Sequence, residues 1–432
     1  MTRAIGCVGA IVVGALVLAG CSRGTDRSDA PASEITVFGP YRDAEADHLA
    51  DVLDEFTAQT GIAVKYTGTA DFVSDLTQRL GEGSERPDVA IVPQPGLVRQ
   101  LVADDQVIEL ADVTRTALGE NYSDQAQALG SVDGVPYGVP IRLDVKSLVW
   151  YRVDLFDERG WTVPGTLAEL EELAAQIADD PDLAPWCMAL RAGSATGWPA
   201  TDWVEDLVLR RQGPETYRSW TEGTVPFASG GIRTAFEEFS SLVLAPRRLS
   251  GSVASAVETP TNEVFEKMVG ETPTCVMVKQ GDFARAWLPS DVEVGPDGTV
   301  DTFVLPDVTD AEGEPPLVVG ADVAIALTES AAIDALMAYL AGPDAGRTWV
   351  EAGGFISPKS SIPIDAYPTD FARLLAEHVL DADELALDAS DSMPPSVGTT
   401  LYWSEITSWL SGSTTYEQMA TTLDDAFAAT RE

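Results

Sequence analysis

The chain has 432 residues, with 69 aspartates and glutamates against 27 lysines and arginines and a formal net charge of −42. Such an excess disfavours nucleic acid, anionic lipid surfaces and strongly anionic substrates through long-range repulsion, and does not identify a ligand. The length suits two lobes or domains, and beyond the first twenty residues no apolar run is long enough to enter a bilayer.

Arg3 precedes an apolar run from Ala4 to Ala19 that closes in Leu18-Ala19-Gly20-Cys21. A short positive segment, an apolar stretch and small residues before a cleavage point form a secretory signal. The run falls short of the roughly 20 residues that a spanning helix needs. The Cys after Leu-Ala-Gly resembles the lipobox of bacterial lipoproteins, which implies lipidation of Cys21 and cleavage just before it; a plain signal peptide is the alternative. Residues 1–20 are therefore expected to be removed, and 21–33 to form a polar tether. The ordered chain would begin near Glu34, outside the cytoplasm and anchored to the outer face of the bacterial cell membrane. Cys7 leaves with the signal and Cys21 takes the lipid. Cys187 and Cys275 remain as one pair in an oxidising compartment, where a disulfide is expected. Two buried free thiols are the alternative.

Glu34 to Gly39 reads as a first strand, β-branched and aromatic up to a glycine. Leu49, Val52, Leu53 and Phe56 give one apolar face to a helix from Asp43 to Thr60, stopped by Gly61. Ile62 to Tyr66 is a second strand, Phe72 to Leu80 a helix ended by Gly81, and Pro87 to Pro93 a short buried strand. This alternation predicts βαβ units and a mainly parallel sheet. Thr166-Leu-Ala-Glu169 reads as a capping box, opening a helix with Leu167, Leu170, Leu173, Ala174 and Ile177 on one face. Helix signals dominate to about Met268. Strands return at Thr274–Val278 and Leu317–Leu327, and the pattern is helical after Ala331. Two lobes with interleaved connections would produce this order, residues 34–145 with 275–328 in one and 146–274 with 329–432 in the other. A cleft between them is a natural ligand site; two sequential domains are the alternative.

From about Glu34 onward the chain resembles the family-1 extracellular solute-binding proteins of carbohydrate ABC importers. The segments that carry this are Pro87-Asp-Val89, Val132-Asp-Gly-Val-Pro-Tyr-Gly-Val-Pro140 and Gly353-Gly-Phe-Ile-Ser-Pro358. Arg142-Leu-Asp-Val-Lys-Ser-Leu-Val-Trp-Tyr151, Ala195-Thr-Gly-Trp-Pro-Ala-Thr-Asp-Trp203 and Asp388-Ala-Ser-Asp-Ser-Met393 resemble the α-glucoside-binding branch, as does the cysteine pair. The resemblance implies an α/β, two-lobed periplasmic-binding-protein-like fold (type II). Each lobe would be a mainly parallel sheet flanked by helices, closing by a hinge over sugar without catalysis. It departs at Asp144, where that branch would carry a neutral Asn.

A sugar offers apolar ring faces and a rim of hydroxyls, so its site needs aromatic platforms and groups that hydrogen-bond in pairs. Trp198, Asp202 and Trp203 suit a platform beside a carboxylate, although Asp202 also suits an N-cap for a helix from Trp203 to Arg211. Gln280, Asp282 and Phe283 follow a strand at the mouth of a sheet. Gly320 and Asp322 interrupt an apolar strand, where a carboxylate needs a partner. Tyr41, Arg142 and Asp144 follow strand or turn ends near the expected cleft, with an interlobe salt bridge as the alternative for the last two. Phe355 and Trp403 complete the candidates, against core packing. Trp150, Trp161, Trp186 and Trp349 read as core or surface residues.

There is no Gly-x-Ser-x-Gly elbow, His-Glu-x-x-His, Cys/His cluster, Walker A or dinucleotide glycine pattern. His48 and His378 are the only histidines, and His48 reads as a solvated helix residue. With so many carboxylates, a pair such as Asp202 and Glu205 is no glycosidase signal. The expected protein is a monomeric binding protein, not an enzyme, without cofactor or metal. It would take an α-glucoside or small oligosaccharide, deliver it to ABC permease subunits, and bind no nucleic acid. The alternatives are another polar solute, a polyol or glycerophosphodiester, and a surface-anchored glycoside hydrolase.

Overall fold

The computed structural model describes residues 34–69, 71–81, 85–309 and 315–431, so the expected leader and tether lie outside the described residues. Strand β1 (Glu34–Gly39) pairs in parallel with β2 (Ala63–Gly68) and with β3 (Val89–Val92). Helix Asp43–Thr60 connects β1 to β2, with Leu49, Val52, Leu53 and Phe56 buried on the predicted face and Gly61 as its left-handed C-cap. Residues 131–136 form a small hairpin of β4 (Ser131–Val132) and β5 (Val135–Pro136). Next come β6 (Gly138–Val145), β7 (Leu148–Arg152), β8 (Ala184–Trp186) and β9 (Cys275–Lys279). The last strands are β10 (Val300–Val304), β11 (Leu317–Ala326) and β12 (Leu385–Leu387).

Two main sheets result, one for each lobe. The first runs β12-β11-β3-β1-β2 with β6 also on β11, and the second runs β10-β7-β9-β8. In the first, β11 is antiparallel to β3 and β6 and parallel to β12. The second has β7 antiparallel to β9 and β10, with only β8–β9 parallel. It is thus less parallel than expected, because β7 and β10 enter it at the ends of interlobe crossings and not through βα repeats.

Strand pairing also moves the expected lobe boundaries. β9 and β10 lie in the second sheet and not with the first lobe, as 275–328 had implied. Conversely, the helices Ala331–Ala341 and Arg347–Ala352, expected in the second lobe, pack on β6 and on helix Asp43–Thr60 of the first. Half-buried His48 of that helix stacks on Trp349, with ring centroids 5.9 Å apart, so it is not the solvated residue expected. An apolar strand fits either sheet by composition, and the edge with free backbone groups decides which one takes it.

The chain crosses between sheets at Lys146–Ser147, within 305–316, and at Asp388. Ser147 Oγ accepts from Val318 N at 2.8 Å and donates to Asp206 Oδ1 at 2.7 Å. Asp206 is ion-paired with Arg210 and, at 2.8 Å, with Lys279. Arg210 in turn donates to the Leu305 carbonyl at 2.9 Å. One buried cluster therefore ties two crossings together. Thr166 caps its helix by accepting from Glu169 N at 3.2 Å, but Glu169 reaches the Gly165 N–H at 2.8 Å instead of closing the expected box.

Cys187 and Cys275 form a disulfide with Cα atoms 5.5 Å apart, joining residues 88 apart in sequence beside the β8–β9 pair. Reduction is expected to lower the unfolding free energy by about 4–5 kcal/mol in the chain-entropy picture. Urea titrations with and without reductant check this; an unchanged midpoint would mean that packing already restrains the loop.

Candidate functional site: a carboxylate-lined cleft between the lobes

Asp144 and Gly320 face each other across β6 and β11, two pairs along from Arg142 and Asp322, so all four share a face of the first sheet. Asp322 precedes an irregularity in that pairing, before Val323 opposite Pro140. From the other lobe comes helix Trp198–Thr221, whose N-cap is Gly197 at φ 113°. A Cβ on Gly197 would sit 2.3 Å from the Trp403 carbonyl oxygen, so glycine is what lets the two tryptophan-bearing helices meet. Trp198, Trp403 and Phe283 converge there, with Trp198 and Phe283 ring centroids 5.8 Å apart.

These residues enclose a cavity of about 230 Å³, lined also by Gln94, Asp144, Lys146, Gly320, Asp322 and Asp391. The aromatic rings supply apolar faces. Asp144, Asp322 and Asp391 supply acceptors, and Gln94 Oε1 is buried with no hydrogen-bond partner among the described residues. Such a surface suits an uncharged ring rimmed with hydroxyls.

Each charge has a defined partner. Tyr41 Oη donates to Asp322 Oδ2 at 2.5 Å. Arg142 donates to Glu45 Oε1 at 2.6 Å and to Asp144 Oδ1 at 3.0 Å. Lys146 hydrogen-bonds Asp388, with Asp202 Oδ1 at 3.6 Å, Asp391 Oδ2 at 3.8 Å and the Trp198 ring centroid at 5.5 Å. Glu205 accepts from the backbone N–H groups of Ala389 (2.8 Å) and Ser390 (3.2 Å), fixing the turn that carries Asp391. Burial acts to depress the Lys146 ammonium, but Asp202, Asp388 and Asp391 outweigh it and hold its pKa well above the usual lysine range.

Asp202, Glu205 and Asp388 bring carboxylate oxygens within 4.8 Å of one another, a spacing that a metal ion can use. The Lys146 ammonium already bonds Asp388 and lies beside Asp202, so the cluster has its cation. Burial raises the Asp202 carboxyl to about 7 despite Lys146, with a hydrogen bond to Asp388 assisting. Asp388 has the opposite outcome: burial acts to raise it, but Lys146 and its hydrogen bonds hold it at about 2. The two carboxyls are thus pushed in opposite directions, and Asp388 is the firmer negative charge beside Lys146.

Of the predicted residues, Trp198, Phe283, Gly320, Asp322, Asp144 and Trp403 line this cleft. Tyr41 and Arg142 stand behind Asp322 and Asp144 as partners. Asp202 is no N-cap, because the helix begins at Trp198 and places it one turn inside, 4% exposed beneath Lys146. Trp203 is core: it meets Trp186 edge-on with centroids 4.7 Å apart. Asp282 accepts from Val145 N at 2.7 Å, and Gln280 Oε1 from Gly281 N at 3.2 Å, so both brace the backbone near the crossing. Phe355 stacks on Trp349 at 4.6 Å in the first lobe. Lys146, Asp391 and Gln94 line the cleft without having been singled out. Lys146 and Asp391 do fall within two of the three segments quoted for the α-glucoside branch, whereas Gln94 carried no signal.

Residues 44–347 match the family model described as bacterial extracellular solute-binding protein. The chain belongs to that family: it is a family-1 substrate-binding protein of an ABC transporter for sugars or related solutes, and not an enzyme. It is 33% identical over 404 residues to the osmoprotective compounds-binding protein GgtB of Synechocystis sp., covering 93% of this chain and 94% of that one. It is 32% identical over 401 residues to the alpha-glucosides-binding periplasmic protein AglE of Rhizobium meliloti, covering 91% and 86%. The solute receptor AcbH superposes with a TM-score of 0.76 at 18% identity, covering 91% of this chain and 97% of that one. RafE from Streptococcus pneumoniae follows at 0.71 and 15%, with 92% and 98% covered. The family is extracellular or periplasmic, and among the described residues no helix is long and apolar enough to cross a membrane.

Two outcomes test the site's wiring. Trp203→Ala is expected to cost about 3–5 kcal/mol of stability, as a large core truncation does, read by urea denaturation. The second concerns pH. In the folded chain burial raises Asp202 to about 7, Asp282 to about 8 and Asp322 to about 6, whereas an unfolded carboxyl titrates near about 3.9. Between those values the folded state binds more protons, so stability is expected to fall as pH rises from about 4 to about 8. Asp388, held at about 2, works oppositely: its contribution is present above about pH 4 and lost as pH falls towards 2. Asp202→Asn should make the decline between pH 5 and 8 shallower, and an unchanged slope would show that Asp202 is not among the groups retaining a proton.

Proposed function

We propose that the protein captures a neutral α-linked glucoside or a similarly small hydroxyl-rich molecule in the cleft and passes it unchanged to ABC permease subunits. The observation that carries this reading is the meeting of three aromatic faces with Asp144, Asp322 and Asp391 in a single cleft. Kinship with a binding protein named for alpha-glucosides supports the glucose-type ring, and kinship with one named for osmoprotective compounds supports a small ligand. A polyol is the second reading, favoured by the latter relative and by the cavity of about 230 Å³. Trp198 and Trp403 stack on the ring faces, while Asp144, Asp322 and Gln94 accept its hydroxyls and Lys146 donates to a ring or hydroxyl oxygen. Closure over the ligand shifts the population towards the form that the permease recognises. The protein acts as a monomer held at the outer membrane face by a lipid on Cys21, a reading that rests on Leu18-Ala19-Gly20-Cys21.

Thermal unfolding of the chain from Glu34 onward, against trehalose, maltose, sucrose and a set of polyols, tests the reading. A ligand present at 100 times its Kd adds about 2.7 kcal/mol of stability. A glucoside is expected to raise the Tm, and Trp198→Ala is expected to weaken that ligand at least ~10-fold, the loss of one stacking face and its buried area. A rise with polyols alone would replace the sugar by the second reading.

A further inference from the structure

The cleft's local charge has a consequence for ligand choice, and it rests on the sugar reading above. Among the described residues Lys146 is the only cation lining the cavity, and its ammonium is already bonded to Asp388 with Asp202 and Asp391 close by. Arg142, the next cation, lies behind Asp144 with its side chain 11% exposed, and is divided between Glu45 and Asp144. An anionic group entering the cleft therefore meets Asp144 and Asp322 and finds no uncommitted positive charge. Hydroxyls meet the same carboxylates as strong acceptors.

Asp144 occupies the controlling position. Its Oδ1 takes the Arg142 guanidinium at 3.0 Å. Its Oδ2 borders the notch left by Gly320, where an added Cβ would lie 3.6 Å from Asp144 Oδ2 and from Lys146 Cε. One carboxylate thus masks a cation and turns its second oxygen towards the gap beside the cleft lysine. An uncharged amide there would remove the repulsion and leave Arg142 balanced by Glu45 alone.

We propose that the cleft admits only uncharged, hydroxyl-rich rings and that Asp144 is the residue that enforces this, rejecting sugar acids and sugar phosphates. The mechanism differs from the long-range effect of the chain's −42 net charge. Repulsion across many ångströms is screened by salt, with a Debye length of about 10 Å at 0.1 M and about 3 Å at 1 M, whereas repulsion at contact in a partly enclosed cleft persists.

Calorimetric titration of the purified protein compares trehalose with trehalose 6-phosphate, and methyl α-glucoside with the corresponding glucuronide, at 0.1 M and 1 M salt. Each neutral sugar is expected to bind at least ~100-fold more tightly than its anionic counterpart, with the ratio changing less than about threefold between the two salts. In Asp144→Asn the anionic ligands should bind at least ~10-fold more tightly than they bind the native protein, which loss of a hydroxyl acceptor alone would not produce, with an unchanged Tm showing that the fold is intact. Comparable binding of neutral and anionic ligands by the native protein overturns the inference, and that measurement needs no variant. A ratio that collapses at 1 M salt assigns the rejection to net charge and overturns the role of Asp144, as does unaltered binding of the anionic ligands by a folded Asp144→Asn. If none of the sugars binds, the sugar reading itself fails and this inference falls with it.

Discussion

Lys146 and Asp388 meet where the chain crosses between the two sheets, the lysine at the first crossing and the aspartate at the last. Separating two charges from water is costly, and it is tolerated only when geometry and further hydrogen bonds are good. Here Asp388 also accepts from Ser390 Oγ and Asp391 N, both at 2.9 Å, and Lys146 has Asp202 and Asp391 near it. The pair therefore fixes the crossings relative to each other and sets the chemistry of the cleft floor at once. Removing Lys146 would leave Asp388 as a buried charge without its cation at the crossings.

The surrounding network follows from that constraint. Asp206, with Lys279, Arg210 and Ser147, is a second buried ionic cluster that binds two of the crossings. Burial alone would raise Asp206, but Arg210 and Lys279 hold it below the usual carboxylate range, so it stays ionised. Asp202 lies between the two clusters: Lys279 Nζ bonds its carbonyl at 3.1 Å, and its side chain faces Lys146. Little more than two turns of the helix Trp198–Thr221 thus present Trp198 to the cleft, Asp202 to the lysine, Glu205 to the Ala389 turn and Asp206 to the crossings. The i, i+4, i+7 and i+8 spacing puts these four on one side of the helix.

Most of the fold is legible in the residues. Period-3.6 apolar positions mark helix Asp43–Thr60, and β-branched runs mark β1, β3, β9 and β11, because each element must bury one face wherever it is placed. Residues 138–152 are harder: β6 and β7 are nearly continuous and apolar on both faces apart from Arg142, Asp144 and Arg152, so periodicity gives no boundary. The two-residue break between them is nevertheless the first crossing. The same limit applies to the lobe boundaries, since β9 and β10 have ordinary strand composition and only pairing assigns them to the second sheet.

For the site, the residues already carry the chemical types: tryptophans, carboxylates in apolar strands, and a glycine where backbone or ligand comes close. They show the class through segments that run in order along the chain, and they mark Trp198, Asp144, Gly320 and Asp322 before any contact is visible. Folding alone pairs residues more than 200 positions apart, such as Lys146 with Asp388 or Tyr41 with Asp322. It likewise separates Trp198 from Trp203, five positions apart on one helix, sending the first to the cleft and the second against Trp186. The reason is physical. A residue's hydrogen-bonding and stacking capacity is a property of its side chain, whereas its burial and charge state depend on what the folded chain brings within a few ångströms of it.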